Sequence, residues 1–225
     1  MTWTAKNSEG RPSPVGIAID VVLLTVRDGT LSIVLLDGDP PVLPGGFVEP
    51  AETAEKAVRR HLGAKAGIRA PKRIEQLQTF TEPARDPRGW IPTIAYLALV
   101  PSTVEVKAEG AGWRGIADGV PRLAYDHTSI AELAMERIKG KLWWSNVAVG
   151  ILAGAFTLTE ARTVYEAIAG VTYDPSTFAR DLNKTGLIVA TGGHVLTARG
   201  RPAALYRFRS QDPEWGHGRR KRVHG

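Results

Sequence analysis

The chain of 225 residues contains no cysteine. This absence excludes a disulfide framework, a thiol nucleophile and zinc bound by cysteine. Any chemistry must therefore come from carboxylates, hydroxyls, basic groups and the five histidines.

Long apolar segments are also absent. Residues 1–14 are polar and lack the apolar core of a signal peptide, and the longest nearly apolar run, 147–156, is interrupted by glycine. A helix that crosses a bilayer needs about 20 apolar residues. We therefore expect a cytoplasmic protein that is neither secreted nor inserted in a membrane.

Negative charge is scarce toward the C-terminus. Residues 1–145 carry 18 basic and 17 acidic side chains, whereas residues 146–225 carry 11 and 6. From Ser176 onward the counts are 10 and 3. Such an excess suits a polyanionic partner. A solvated surface with a disordered basic tail explains the charge equally well.

The N-terminal part alternates predicted strands and helices. Two apolar, β-branched runs at 16–25 and 31–36 flank Asp28-Gly29, which is a hairpin signature. A polar, charged loop at 81–89 can line a site. Further predicted elements are strands at 73–80 and 93–100 and helices at 53–66 and 129–141. This alternation indicates an α+β domain with a mixed sheet.

The pattern changes beyond Lys141. Short helices are predicted at 143–152, 159–168 and 175–184, followed by strands at 187–191 and 204–208 that a hairpin at 192–202 connects. Three short helices and a basic hairpin are typical of a winged helix-turn-helix, whose second motif helix enters the major groove of DNA. A small helical dimerisation domain with a solvated basic face is the alternative.

The most specific motif spans residues 46–68 and resembles the Nudix box, G-x5-E-x7-R-E-U-x-E-E-x-G-U, where U is aliphatic. The matching positions are Gly46, Glu52, Arg60, Leu62, Gly67 and Ile68. The Gly45-Gly46 pair lets the backbone approach a phosphate, and a helix N-terminus helps to hold an anion. The resemblance implies a Nudix-like α/β/α sandwich.

The departures from the Nudix box concern its metal ligands. The family's three metal-binding glutamates correspond to His61, Ala64 and Lys65. Such positions share one helix face, where carboxylates would gather a hard divalent cation. Their loss removes the oxygen ligands, so we expect no metal, no catalytic residue and no hydrolysis. The alternative is a Nudix hydrolase acting on ADP-ribose, with metal held by Glu49, Glu52 or Glu55.

A pocket without metals can still bind a nucleoside diphosphate through basic side chains. The predicted ligand-binding residues are Gly45, Gly46, Phe47, Glu52, Arg60 and Arg88. Arg60 could instead pair with Glu52 and serve structure only. Phe47, Trp90 and Trp113 are candidates either for base stacking or for packing. His61 and His127 are isolated in the sequence and receive no metal role.

The C-terminal part carries the predicted DNA-binding residues. Asp174 and Pro175 indicate a helix start, because Asp is a preferred N-cap and Pro suits the first helical position. The predicted DNA-binding residues are Ser176, Thr177, Arg180 and Lys184 on this helix and Arg199 and Arg201 in the hairpin. The expected organisation is a leader at 1–14, a ligand-sensing domain at 15–142, a winged-helix domain at 143–210 and a flexible basic tail at 211–225.

A degenerate Nudix domain joined to a basic winged helix resembles the NrtR family, the Nudix-related transcriptional regulators of bacterial NAD metabolism. Asp20-Val21-Val22, Asp86-Pro87-Arg88-Gly89, 124–127 and 201–208 also resemble that family, so the likeness covers nearly all of residues 16–208. It implies a homodimeric repressor of NAD biosynthesis or salvage genes that binds a palindromic DNA operator. ADP-ribose or a related NAD-derived nucleotide would be the effector, with no cofactor. A third possibility is a nucleotide-binding protein whose C-terminal module mediates assembly only.

Overall fold

The computed structural model describes residues 16–196 and 202–213. The predicted leader, the predicted DNA-binding residues Arg199 and Arg201, and the last 12 residues of the chain, 214–225, lie outside the described residues.

A mixed sheet forms the N-terminal part. Its strands are β1 (Ala18–Arg27), β2 (Thr30–Leu36), β3 (Gly45–Phe47), β4 (Arg73–Phe80), β5 (Thr93–Leu99) and β6 (Ala111–Gly115). The order is β4-β5-β1-β2-β6, and β3 pairs with β1. Strand β1 runs parallel to β5 and antiparallel to β2. The predicted turn at Asp28-Gly29 is confirmed, with both residues at positive φ, 49° and 74°.

One helix covers each face of this sheet. Strand β1 is buried on both faces, and its alternate side chains belong to different apolar clusters. Val21 and Leu23 lie in the cluster that contains helix α1 (Ala54–Ala66), while Val22 and Leu24 lie in the cluster that contains helix α2 (His127–Lys141). The resulting α/β/α layers confirm the Nudix-like fold. No helix in the described part of the chain is long and apolar enough to cross a membrane.

The C-terminal part is a winged helix. It contains a 3-10 turn at Val147–Gly150, strand β7 (Phe156–Thr157), helices α3 (Leu158–Ala169) and α4 (Pro175–Lys184), and strands β8 (Ile188–Leu196) and β9 (Pro202–Phe208). The strands form an antiparallel sheet in the order β7-β9-β8.

The two parts share one apolar core. The cluster on the α2 face of the large sheet continues into Phe156, Tyr165 and Phe178 of the winged helix. Just after α2, the ring of Trp143 meets that of Tyr165 edge to face with centroids 5.2 Å apart, a favourable aromatic geometry. Because the apolar cluster is continuous, the winged helix packs against the Nudix-like part and is not merely tethered to it.

The predicted helix at 143–152 was wrong in length. Only the 3-10 turn at Val147–Gly150 forms. Gly150 lets this segment approach β5 closely, because a Cβ atom there would lie 2.5 Å from the Cβ of Leu99. Sequence patterns also missed β3, β6 and β7, which are two to five residues long and form through tertiary pairing.

Candidate functional site

An open pocket of about 400 Å³ lies beside the start of β1, the central strand of the large sheet. Six segments meet there: β1, the loop leading into β3, β3 itself, α1, the loop after β4 and the start of α2. The lining residues are Ala18, Asp20, Val42, Leu43, Gly45, Gly46, Phe47, His61, Lys65, Arg85, Asp86, Arg88, Tyr125 and His127. Of the six predicted ligand-binding residues, this pocket brings together Gly45, Gly46, Phe47 and Arg88.

A buried ion-pair network forms the floor of the pocket. The Arg85 guanidinium donates to both carboxylate oxygens of Asp126, at 2.8 and 2.6 Å, and to Asp20 Oδ2 at 3.1 Å. Burial alone would raise the pKa of the Asp20 carboxyl, but the hydrogen bond from His127 and the charge of Arg85 outweigh it and lower that pKa. Asp20 therefore stays ionised and holds Arg85 and His127 in place.

His127 ties α2 to the loop before β3. The Leu43 backbone N–H donates to His127 Nδ1 at 3.0 Å, and Nε2 lies 3.3 Å from Asp20 Oδ1. Because Nδ1 accepts a hydrogen bond, the ring proton must sit on Nε2 and point to Asp20. Sequence reasoning missed this role and that of Arg85, since their partners are far apart in the chain.

The double glycine is required by close packing. A Cβ atom at Gly45 would lie 2.3 Å from the carbonyl oxygen of Ile19. Gly46 has φ of 152°, and a Cβ atom there would lie 2.4 Å from Cε1 of His61. The His61 imidazole thus packs against the backbone of Gly46, and its Nε2 donates to the Phe47 carbonyl at 3.0 Å.

Two exposed aromatic rings flank Arg88 at the pocket mouth. Arg88 Cζ lies 5.7 Å from the centroid of Phe47 and 6.0 Å from that of Tyr125. The same guanidinium binds Asp86 through Nε at 3.0 Å and NH2 at 2.6 Å, which lowers the pKa of Asp86. This arrangement offers flat surfaces for a base, and sequence reasoning did not identify Tyr125.

Glu52 and Arg60 lie outside the pocket lining and bind each other. Arg60 Nε and NH2 donate to the two Glu52 oxygens at 2.8 and 2.7 Å, and NH2 also donates to the Phe47 carbonyl at 3.0 Å. The hydrogen bond from Arg60 lowers the pKa of Glu52 to about 2. This geometry favours the structural interpretation of Arg60, a brace between α1 and β3.

Two of the aromatic candidates lie away from the pocket. Trp90 Nε1 donates to the Thr81 carbonyl at 3.0 Å, within its own loop. Trp113 Nε1 donates to the Val104 carbonyl at 3.1 Å, under the guanidinium of Arg27. The structure brings neither ring to the pocket.

The residues at the Nudix metal positions do not fit a divalent cation. His61 Nε2 donates to a carbonyl, Ala64 has no donor atom, and Lys65 carries an ammonium. Glu49 and Glu52 both pair with Arg60, at 3.4 and 2.7 Å. No group of three metal-ligating side chains occurs within 16–196 and 202–213. Hard cations need several oxygen ligands, so no metal-assisted step can be built from this set.

Helix α4 presents a polar face. Phe178 and Leu182 are buried, so Ser176, Thr177, Arg180 and Lys184 lie on the solvent side. Asp174 caps the helix by accepting from the Thr177 backbone at 2.8 Å and from the Ser176 hydroxyl at 2.6 Å. The four helical residues predicted to bind DNA thus share one exposed surface, which is how a recognition helix is displayed.

Known proteins resemble the chain in both halves. The NrtR DNA-binding winged helix domain matches residues 148–208, and the NUDIX domain matches residues 15–120. An ADPR responsive transcriptional repressor, NtrR of Acinetobacter baylyi, is 31% identical over 214 residues, which cover 89% of this chain and 84% of that protein.

Two solved structures from Shewanella oneidensis are also similar. NrtR complexed with a 27mer DNA has a TM-score of 0.73 and 33% identity, covering 87% of this chain and 94% of its own. The NUDIX domain of that NrtR complexed with ADP ribose has a TM-score of 0.51 and 31% identity, covering 59% and 93%.

Proposed function

This chain belongs to the NrtR family, and we propose from this that it is a bacterial transcriptional repressor that senses ADP-ribose or a related NAD-derived nucleotide. The observation that carries the proposal is the likeness to a DNA-bound NrtR across 87% of the chain, through both the sensing domain and the winged helix. A likeness to a Nudix domain alone would leave the C-terminal part unexplained.

The sensing half of the proposal rests on the pocket. Its two exposed aromatic rings, Phe47 and Tyr125, suit a base, and its basic side chains suit a diphosphate. The relative named as ADPR responsive and the ADP-ribose complex of a related domain support this ligand class. We propose that Gly45, Gly46, Phe47 and Arg88 contact the ligand. Glu52 and Arg60 do not contact it in this proposal but hold Phe47 in position, because Arg60 binds both Glu52 and the Phe47 carbonyl.

The DNA-reading half rests on α4 and the basic hairpin. We propose that Ser176, Thr177, Arg180 and Lys184 face the major groove, with Arg199 and Arg201 contributing from the hairpin. A homodimer on a palindromic operator would place two such helices about 34 Å apart, in successive major grooves. The regulated genes would be those of NAD biosynthesis or salvage.

Ligand and DNA binding are coupled in this proposal. A nucleotide in the pocket weakens operator binding, and by linkage the DNA-bound protein binds the nucleotide less tightly by the same factor. The protein is not an enzyme in this view, because His61, Ala64 and Lys65 supply no oxygen ligands at the positions where the Nudix box holds a metal to activate water and stabilise a leaving group.

An Arg180→Ala substitution tests the DNA-reading surface. The DNA probe is a duplex that the parent protein selects from a pool of random sequences. We expect the variant to bind this duplex more weakly, and we expect the slope of log affinity against log salt concentration to fall by about one, the value for one lost phosphate contact. Arg59→Ala is the matched control, because Arg59 is an exposed arginine of α1 in the sensing domain. Equal DNA affinity for both variants and the parent protein would contradict the assigned surface.

Incubation of the protein with ADP-ribose and Mg²⁺ or Mn²⁺ tests the non-enzymatic role. We expect no AMP above the level of a protein-free control. Steady AMP release that scales with protein concentration would favour the hydrolase.

A further inference from the structure

We propose that Lys65 replaces the divalent cation in this pocket, so that its ammonium binds the diphosphate of the nucleotide and ligand binding needs no metal. This inference rests on the proposed function, because it concerns how the same pocket binds a nucleoside diphosphate.

The position of Lys65 is the first observation. Lys65 and His61 are four residues apart on α1, so they lie on one face of the helix, and both line the pocket. These are two of the three positions where the Nudix box has carboxylates. The Lys65 ammonium therefore lies where that motif has carboxylates that bind a divalent cation.

The pairing of the other pocket cations is the second observation. Arg85 is held by Asp126 and Asp20, and Arg88 is held by Asp86 through hydrogen bonds from both Nε and NH2. The Lys65 ammonium forms no hydrogen bond or ion pair with any residue in 16–196 or 202–213, and Lys65 is exposed. A phosphate that pairs with Lys65 breaks no existing ion pair, whereas pairing with Arg85 would compete with two carboxylates.

The charge balance points the same way. With glutamates at residues 61, 64 and 65 this face of α1 would repel a diphosphate unless a cation lay between them. With imidazole, methyl and ammonium it attracts the diphosphate directly. Mg²⁺ that complexes the free nucleotide would then compete with Lys65 for the same phosphate oxygens. Added Mg²⁺ should leave affinity unchanged or lower it slightly.

A purely structural role for Lys65 makes a different prediction. Lys65 lies in the last turn of α1, where a positive charge stabilises the carbonyl end of a helix. In that case its removal would lower thermal stability without changing ligand affinity. Binding and melting measured on the same variants separate the two roles.

Isothermal titration of the full chain with ADP-ribose, in EDTA and in Mg²⁺, tests the inference. We expect the parent protein to bind with affinities that agree within about twofold in the two buffers. Lys65→Ala should weaken ADP-ribose binding about tenfold or more and leave adenosine binding unchanged, because adenosine has no phosphate. Lys65→Arg should keep most of the affinity, and Lys65→Glu should bind ADP-ribose in Mg²⁺ better than in EDTA.

Lys56→Ala is the matched control, because Lys56 is an exposed lysine of the same helix that does not line the pocket. It should bind ADP-ribose as the parent protein does. A parent protein that needs Mg²⁺, or a Lys65→Ala protein that binds normally, would overturn this inference and leave the proposed function standing. No binding of ADP-ribose, NAD or a related nucleotide by the parent protein in either buffer would overturn both.

Discussion

Several residues at the pocket belong to recognisable sequence motifs, but their contacts in the folded protein could not be predicted from those motifs. The sequence predicts that the Gly45-Gly46 pair makes room for a phosphate, and the structure adds a packing requirement, since Gly46 lies against the imidazole of His61. His127 looked isolated because its partners, Leu43 and Asp20, are 84 and 107 residues away, and no local pattern connects such positions.

Gly46→Ala should destabilise the protein and abolish nucleotide binding. The new methyl group meets His61 and the backbone is held at φ of 152°, so we expect a loss of roughly 2–3 kcal/mol in the free energy of unfolding, measured by urea denaturation. Gly89→Ala is the control, because Gly89 has φ of 148° but no atom within 4 Å of the added Cβ. Equal losses at the two positions would show that packing against His61 contributes nothing.

Glu52→Gln should remove a pH-dependent part of the stability. Arg60 lowers the pKa of Glu52 from 4.5 to about 2, so the folded state favours the ionised carboxylate. Its contribution is present above pH 4.5 and is lost as the pH falls toward 2. We therefore expect the parent protein to be more stable than Glu52→Gln at pH 6 and the difference to vanish near pH 2. If the stability difference between the two proteins stayed constant from pH 6 to pH 2, the proposed stabilising role of the Glu52–Arg60 pair would be contradicted.

At the scale of elements, hydrophobic periodicity located the long helices and strands, and local signals placed several of their ends. Helix α1 begins after Thr53, whose side chain caps it, and ends at Gly67, which has φ of 71°. Helix α4 occupies the predicted residues 175–184 because its start is marked by Asp174 and Pro175. Strand β6 could not be found in this way, since Ala111–Gly115 contains two glycines and becomes a strand by pairing with β2.

Asp174→Ala should loosen the start of α4. Thr177 N–H and the Ser176 hydroxyl lose their acceptor, so we expect Tm to fall by about 2–4 °C and DNA affinity to fall with it, in calorimetry and in a DNA titration. Asp174→Asn is the control, because Asn also caps helices well. An alanine variant that melts and binds DNA like the asparagine variant would argue against the cap.

At the scale of the whole molecule, the joint between the two parts depends on a buried amide. Asn146 is fully buried, and its Oδ1 accepts from Arg73 NH1 of β4 at 3.3 Å. Its Nδ2 donates to the carbonyls of Ser210 and Asp212 at 3.0 and 2.6 Å. One side chain thus connects the edge strand of the large sheet, the start of the winged helix and the segment that follows β9. Neither amino-acid composition nor hydrophobic periodicity predicts such a contact.

Asn146→Ala should destabilise the whole protein. It removes the hydrogen-bond partner of Arg73 in β4 and of the Ser210 and Asp212 carbonyls after β9, so we expect about 1–3 kcal/mol less unfolding free energy, measured by urea denaturation. Asn183→Ala is the control, because Asn183 is exposed on α4, and its effect should stay within about 0.5 kcal/mol. A similar small effect at Asn146 would show that the two parts are held together by apolar packing alone.

The proposed function requires one molecule to couple a nucleotide pocket to a DNA-reading helix. The most direct measurement is a fluorescence titration of the full chain onto its own enriched DNA duplex, with and without saturating ADP-ribose, at one stated salt concentration. We expect ADP-ribose to weaken DNA affinity by about 5–150-fold, the ordinary size of allosteric coupling, and DNA to weaken ADP-ribose binding by the same factor. An identical DNA affinity in the presence of ADP-ribose, NAD and related nucleotides would contradict it.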